Sequence, residues 1–219
     1  MQAYGGTNEE EGHLDALIST ARLRRYLLAT DGDIRRARAL YAHNLDLSEA
    51  FLPELYYLEV GLRNRLADAL SSSYGPDWAS NPFLLKLFDD RQAAACQCVA
   101  RDQRRKRGDS FLPDHVVVSL SFGFWNSLLK PKQVSVLWAD GLAQVLPEAK
   151  GLDAQTCFAS LNAVRLWRNR IAHHRAIFHR GPMQNHQRII ASIGWISPPA
   201  ARAIAAASRV PQVISRRPR

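Results

Sequence analysis

Seven consecutive residues, Arg168-Asn169-Arg170-Ile171-Ala172-His173-His174, carry the side chains best suited to chemistry on a phosphate. A guanidinium grips anionic oxygens in a rigid fork, an amide orients them, and an imidazole moves a proton near neutral pH. The heptapeptide closes a run of helical periodicity over residues 156–174. On a wheel of about 100° per residue, Leu161, Val164, Trp167 and Ile171 share a core face. Asn162, Arg165, Asn169 and His173 stack on a separate polar stripe. Arg168 lies at the margin of the apolar face, about 140° from His173. One helix therefore does not aim both at the same atom, and a second surface must complete the site.

The helical run over residues 51–70 offers one such surface. Leu52, Leu55, Leu62, Leu66 and Leu70 form its apolar stripe, with Glu59 in the middle and Arg63 at the edge. A carboxylate aimed at a core requires a cationic or hydrogen-bonding partner. Arg63 is one partner, at i+4, and Arg168 is another. The expectation is that the two helices pack with Glu59 near Arg168, and that Asn64 joins the cluster. A plainer reading stands beside it, in which the stripe is a solvated face and the Glu–Arg pair is structural. His174, His179 and His186 compete with His173 for a catalytic role, and Arg170 with His174 forms another i, i+4 pair.

The 219 residues fit one domain, or one with an appended piece, and their 47% hydrophobic content is that of a globular protein. The balance of 29 Lys+Arg against 20 Asp+Glu, net +9, favours polyanionic partners such as nucleic acid. Three cysteines (Cys96, Cys98 and Cys157) form no disulfide framework and point to reduced thiols in a cytoplasm. No second pair at ligand spacing follows Cys96-x-Cys98, so no metal or other cofactor is expected. The N-terminus lacks the apolar core of a signal peptide. The longest apolar stretch, residues 116–129, is too short and too interrupted to span a bilayer.

The chain reads as all-α. Residues 1–12 are expected to be a flexible tail, 13–208 a single helical domain, and 209–219 a loose basic tail. Helical patterns cover residues 14–29, 34–43, 48–73 (with Ser48 as cap), 82–107, 133–146, 182–194 and 197–208. Residues 116–120 are the one strand candidate. The run Arg104-Arg105-Lys106-Arg107 ends a helix and could guide a nucleic-acid strand, as could Arg165; a solvated helix end explains the run equally well.

Taken together, Arg168-Asn-Arg-Ile-Ala-His173 matches the Arg-x4–6-His signature of HEPN domains. The longer string Trp167 to His174, Leu58-Glu-Val-Gly-Leu-Arg-Asn-Arg65 and Ser121-Phe-Gly-Phe-Trp125 resemble the Abi-like (AbiD/AbiF type) abortive-infection proteins. The similarity spans roughly residues 14–195. The resemblance implies a HEPN-like helical bundle that dimerises with its motif helices meeting across a two-fold axis. It implies metal-independent endoribonuclease activity in a toxin or phage-defence effector, held in some cases by an RNA or protein antitoxin. It makes Arg168 and His173 the signature pair, Asn169 their polar companion, and Glu59, Arg63 and Asn64 part of a supporting block, with His174 beside them. Some such toxins have Arg-x4-His-x-Tyr with a modified tyrosine; Arg175 stands at that position here. The alternative is a non-catalytic RNA- or protein-binding module of a defence or toxin–antitoxin system.

Overall fold

The computed structural model describes residues 8–218. Among them the fold is all-α, with no strand. The helices are α1 (Asn8–Ile18), α2 (Thr20–Leu28), α3 (Ile34–Tyr74), α4 (Pro82–Leu87), α5 (Asp90–Arg107), α6 (Asp114–Ser119), α7 (Phe122–Ser127), α8 (Pro131–Leu137), α9 (Ala154–Ala172), α10 (Pro182–Gly194), α11 (Pro198–Ala207) and α12 (Val210–Ser215). Short 3-10 turns follow at Trp78–Ser80, Gly108–Ser110 and Gly141–Gln144.

Several sequence expectations are corrected. The helix expected over 14–29 breaks at Ser19, whose φ of 75° lies in the left-handed region. Two helices expected over 34–43 and 48–73 are one, because Ser48 does not cap: its hydroxyl donates to the Asn44 carbonyl one turn back, at 2.7 Å. Pro53 lies inside α3, where its missing N–H leaves the usual i−4 bond unmade. The run 82–107 splits at Asp89, which caps α5. The strand candidate 116–120 falls mostly in α6, a single turn too short for periodicity to distinguish it from a strand. Residues 133–146 hold the end of α8 and a 3-10 turn.

Both expected tails are also shortened. Residues 1–7 lie outside those described, but Asn8–Gly12 belong to α1, in keeping with the helix propensity of its glutamates. The C-terminal segment holds α12, with Pro211 in the first turn, where proline is tolerated, and Val210 fully buried. The chain packs as two compact units interleaved in sequence.

The first unit comprises the chain up to Pro53, Trp167–Gln187 and the chain from Ala207. Tyr26, Ala37, Leu40, Ala176 and Phe178 form a buried cluster, with Tyr26 edge-on to Tyr41 at 5.1 Å. Phe51 meets Trp167 at 5.1 Å, anchoring the last turns of α9. Arg38 clamps Asp15 of α1 at 2.7 Å, and Arg209 pairs with Glu49 at 2.9 Å.

The second unit comprises Glu54–Leu166 and Arg188–Ala206. Its core is aromatic: Trp78 packs edge-on against Trp125 at 5.8 Å, and Phe124 touches both Phe88 and Trp125. Such T-shaped pairs add about 0.5–1.5 kcal/mol each beyond the apolar area they bury. Arg65 donates to the Gln144 carbonyl and Trp138 to the Leu128 carbonyl, fastening the irregular 128–146 segment.

Asp89 and Gln92 form a reciprocal capping box at the start of α5, with bonds of 2.9 and 2.8 Å. Desolvation pushes the Asp89 carboxyl up, but bonds from the Gln92 amide and from Lys130 outweigh it and hold it below the usual range. A depressed pKa stabilises the fold above the unfolded pKa, and the contribution is lost as pH falls through the folded value. Asp89→Ala is therefore expected to cost about 1 kcal/mol at neutral pH. The difference in melting temperature from wild type should shrink once the pH drops below the pKa of Asp89.

Candidate functional site

The motif stands at the C-terminal end of α9, within the first unit. Leu161, Val164, Trp167 and Ile171 are all buried, the face expected from the wheel. Arg168, Asn169 and Arg170 are half-buried, and His173 and His174 are exposed. The helix stops at Ala172, two residues before the expected end. His174 adopts a φ of 53°, the Arg175 amide donates to the Arg170 carbonyl at 2.8 Å, and the His174 amide donates to the Ile171 carbonyl at 2.9 Å. This pair of bonds is a Schellman closure, with a histidine where glycine is usual. His173 thus sits just beyond the last helical turn, still tied by its amide to the Asn169 carbonyl at 3.0 Å. Arg168 Nη1 donates to Asn169 Oδ1 at 3.5 Å, so arginine and amide work as a pair.

The chain leaving the helix is pinned from α3. Asn44, 3% exposed, accepts the backbone amides of Ile177 (2.7 Å) and Phe178 (3.2 Å) on its Oδ1. Arg170 reaches over the turn and donates to the Ala176 carbonyl at 3.0 Å. His179 Nε2 faces both Arg25 (3.3 Å) and Arg180 (3.1 Å). A guanidinium only donates, so this nitrogen accepts and the imidazole proton sits on Nδ1. Burial, then the cations Arg180, Arg25, Arg170 and Arg217, hold the His179 pKa below the ordinary range. His179 is therefore a neutral strut rather than a proton donor at neutral pH. His186 is buried.

The other expected site residues belong to the second unit. Glu59 lies there and Arg168 in the first, so their pairing is carried forward as a proposal. Glu59 is half-buried rather than in the core. The carboxylate within the buried stripe of α3 is Glu54, 1% exposed, one turn before Leu58. Of the expected stripe, Leu55, Leu62, Leu66 and Leu70 are buried, while Leu52 is 53% exposed and Phe51 and Leu58 complete the core face. Arg63 donates to Asn64 Oδ1 at 3.3 Å.

Arg165 donates twice to Asn162, at 3.0 and 2.9 Å. With Arg91, Phe158, Ser121, Gly123 and Phe124 it lines a cavity of about 360 Å3. The basic run at the end of α5 is locally engaged. Arg104 bonds Asp77 and Ser80 and lies 4.3 Å over the Phe111 ring, Arg105 and Lys106 share Asp102, and Arg107 bonds Gln103. Cations in a last turn also offset the helix dipole.

Cys96 is buried and Cys98 exposed, on different faces of α5. Burial pushes the Cys96 thiol up to about 12. Among the described residues no group of three or more His, Cys, Asp or Glu is placed to hold a metal ion, and no helix is long and apolar enough to cross a membrane. No family model, curated protein or solved structure matches this chain.

Truncating Asn44 to alanine strands two buried amides and should cost about 2–5 kcal/mol, read by chemical denaturation. His174→Gly removes the left-handed penalty of a side chain and should raise stability by up to about 1 kcal/mol, read as a higher melting temperature.

Proposed function

We propose that this protein is a metal-independent endoribonuclease of the HEPN type, acting as a toxin or phage-defence effector. The observation that carries the reading is the exposed helix end itself. Arg168 and Asn169 join side chains at 3.5 Å, and His173 stands one turn further on, open to a ligand. In the proposed reaction a base takes the proton of an RNA 2′-OH, and that oxygen attacks the adjacent phosphorus. The bond to the 5′-oxygen breaks, an acid protonates that oxygen, and a 2′,3′-cyclic phosphate remains. His173 supplies the acid or the base, since an imidazole changes protonation state near neutrality. Arg168 stabilises charge on the phosphoryl oxygens, and Asn169 orients it.

Arg168 and His173 leave α9 in different directions, so a second copy of the chain is proposed to supply the missing half of the site. Tyr56 and Tyr57 on α3 are 65% and 56% exposed and would suit coverage by a second copy. Glu59 is proposed to position Arg168, supported by Arg63 and Asn64. Arg165 and the Arg104–Arg107 run are proposed to guide the strand. A protein or RNA antitoxin would act by covering this end.

The test is incubation of wild type and His173→Ala with total RNA in EDTA, with end-group analysis. Wild type should yield 2′,3′-cyclic ends. The variant should lose at least 100-fold in rate while melting and binding RNA as wild type does. Undiminished cleavage by a clean His173→Ala preparation would sink the mechanism. RNA binding without cleavage by either protein would favour the binding-module reading.

A further inference from the structure

The first unit carries a second feature that the nuclease reading does not use. Arg22 and Arg25 of α2, with Arg170, Arg175 and Arg180, line one cavity of about 320 Å3 together with His174. No carboxylate is among the residues that line it. Arg168, Asn169 and His173 are not among them either, and Arg170 projects from α9 about 200° around the helix from Arg168.

Five arginines line one cavity with no carboxylate among them, and negative charge between them relieves their mutual repulsion. Burial, and then Arg180, Arg175 and Arg25, hold Arg170 below the ordinary arginine range. Its Nε is buried without a protein acceptor. Two of the five are held in place by the same imidazole, since Arg25 and Arg180 both donate to His179. The cluster is thereby braced before any ligand arrives.

We propose that this cavity binds a pyro- or triphosphate group. Arginine forks match phosphate oxygens in bidentate geometry. A nucleic-acid backbone presents single charges spaced along a strand, whereas here five cations close on one volume. That suits a compact group of three or more negative charges. The one tyrosine in the lining, Tyr26, is 2% exposed and packed edge-on to Tyr41. It offers no open face for a base to stack on, so recognition rests on the phosphates. A free nucleoside triphosphate and the 5′-triphosphate end of an RNA both supply this chemistry.

The site does not depend on ribonuclease activity, because its test uses an anion that cannot be cleaved by attack of a 2′-OH. Calorimetry would measure inorganic tripolyphosphate binding to wild type and to the Arg22→Gln/Arg175→Gln double variant. Both arginines are exposed. Arg170 by contrast holds a backbone carbonyl, and Arg25 and Arg180 brace His179, so the chosen pair is the least tied to the fold. Saturable one-to-one binding is expected, weakened on the order of tenfold or more in the double variant, whose melting temperature without ligand stays at the wild-type value. GTP displacing tripolyphosphate at comparable concentration would support a free nucleotide as the source. A 5′-triphosphorylated RNA oligonucleotide binding more tightly than its 5′-hydroxyl counterpart would support an RNA end. The proposal is overturned if tripolyphosphate binds no better than sulfate at equal ionic strength, or equally well to the double variant. It is also overturned if 5′-hydroxyl RNA displaces tripolyphosphate as effectively as the triphosphorylated strand does.

Discussion

The first unit depends on one buried amide. Asn44 is deep in α3, where its Oδ1 accepts two consecutive backbone amides from the chain leaving α9. Two donors in low dielectric, answered by one side chain, are costly to leave unmet. That constraint forces residues 176–178 against α3, and Phe178 and Ala176 then complete the cluster around Tyr26. α2 is held by the same cluster. The arginines of α2 and those of the 175–180 segment therefore come together because a neutral amide in a core brings them there, against their own repulsion.

The helix end is shaped by the same geometry. A Schellman closure turns the chain sharply after Ala172, and His174 occupies the left-handed position that a glycine would hold at less cost. Such a choice trades backbone comfort for a side chain at a particular point, next to Arg170 and the cavity it lines. His173, by contrast, is left exposed beyond the last turn. The two histidines are neighbours in sequence but serve different surroundings: one is in the arginine cavity, the other beside the Arg168–Asn169 pair.

Basic residues in this chain consequently fall into distinct populations. Those at the end of α5 are answered by Asp77, Asp102, Gln103 and Ser80 and offset a helix dipole. Exposed pairs of that kind contribute little to stability and leave little unbalanced charge. The arginines around His179 have a neutral imidazole and a carbonyl as partners rather than carboxylates. The net positive charge of the chain is thus less informative than its placement, and the unbalanced part of it is concentrated in the first unit.

Helical class and the core face of α9 were legible from residue types and spacing. These are local properties, set by the 3.6-residue period and by side chains that compete with the backbone over one turn. The trio of Arg168, Asn169 and His173 was equally visible as a candidate. The stripe of Leu55, Leu62, Leu66 and Leu70 on α3 was legible too; less so was its start, where Phe51 rather than Leu52 faces the core and Glu54, not Glu59, falls within it. Phe51 and Leu52 stand about 100° apart on the helix, and two adjacent apolar side chains leave the choice between them to the packing. The arginine cavity was not legible at all. Arg22 and Arg25 are separated from Arg170, Arg175 and Arg180 by well over a hundred positions, and no local rule links them. Their meeting is decided by long-range packing, through the amide of Asn44 and the aromatic cluster that it closes. The sequence by itself determined which segments are helical and which residue types stand at the end of α9. Only the tertiary structure decided what surrounds that end, because pairing between distant segments depends on which faces the core buries.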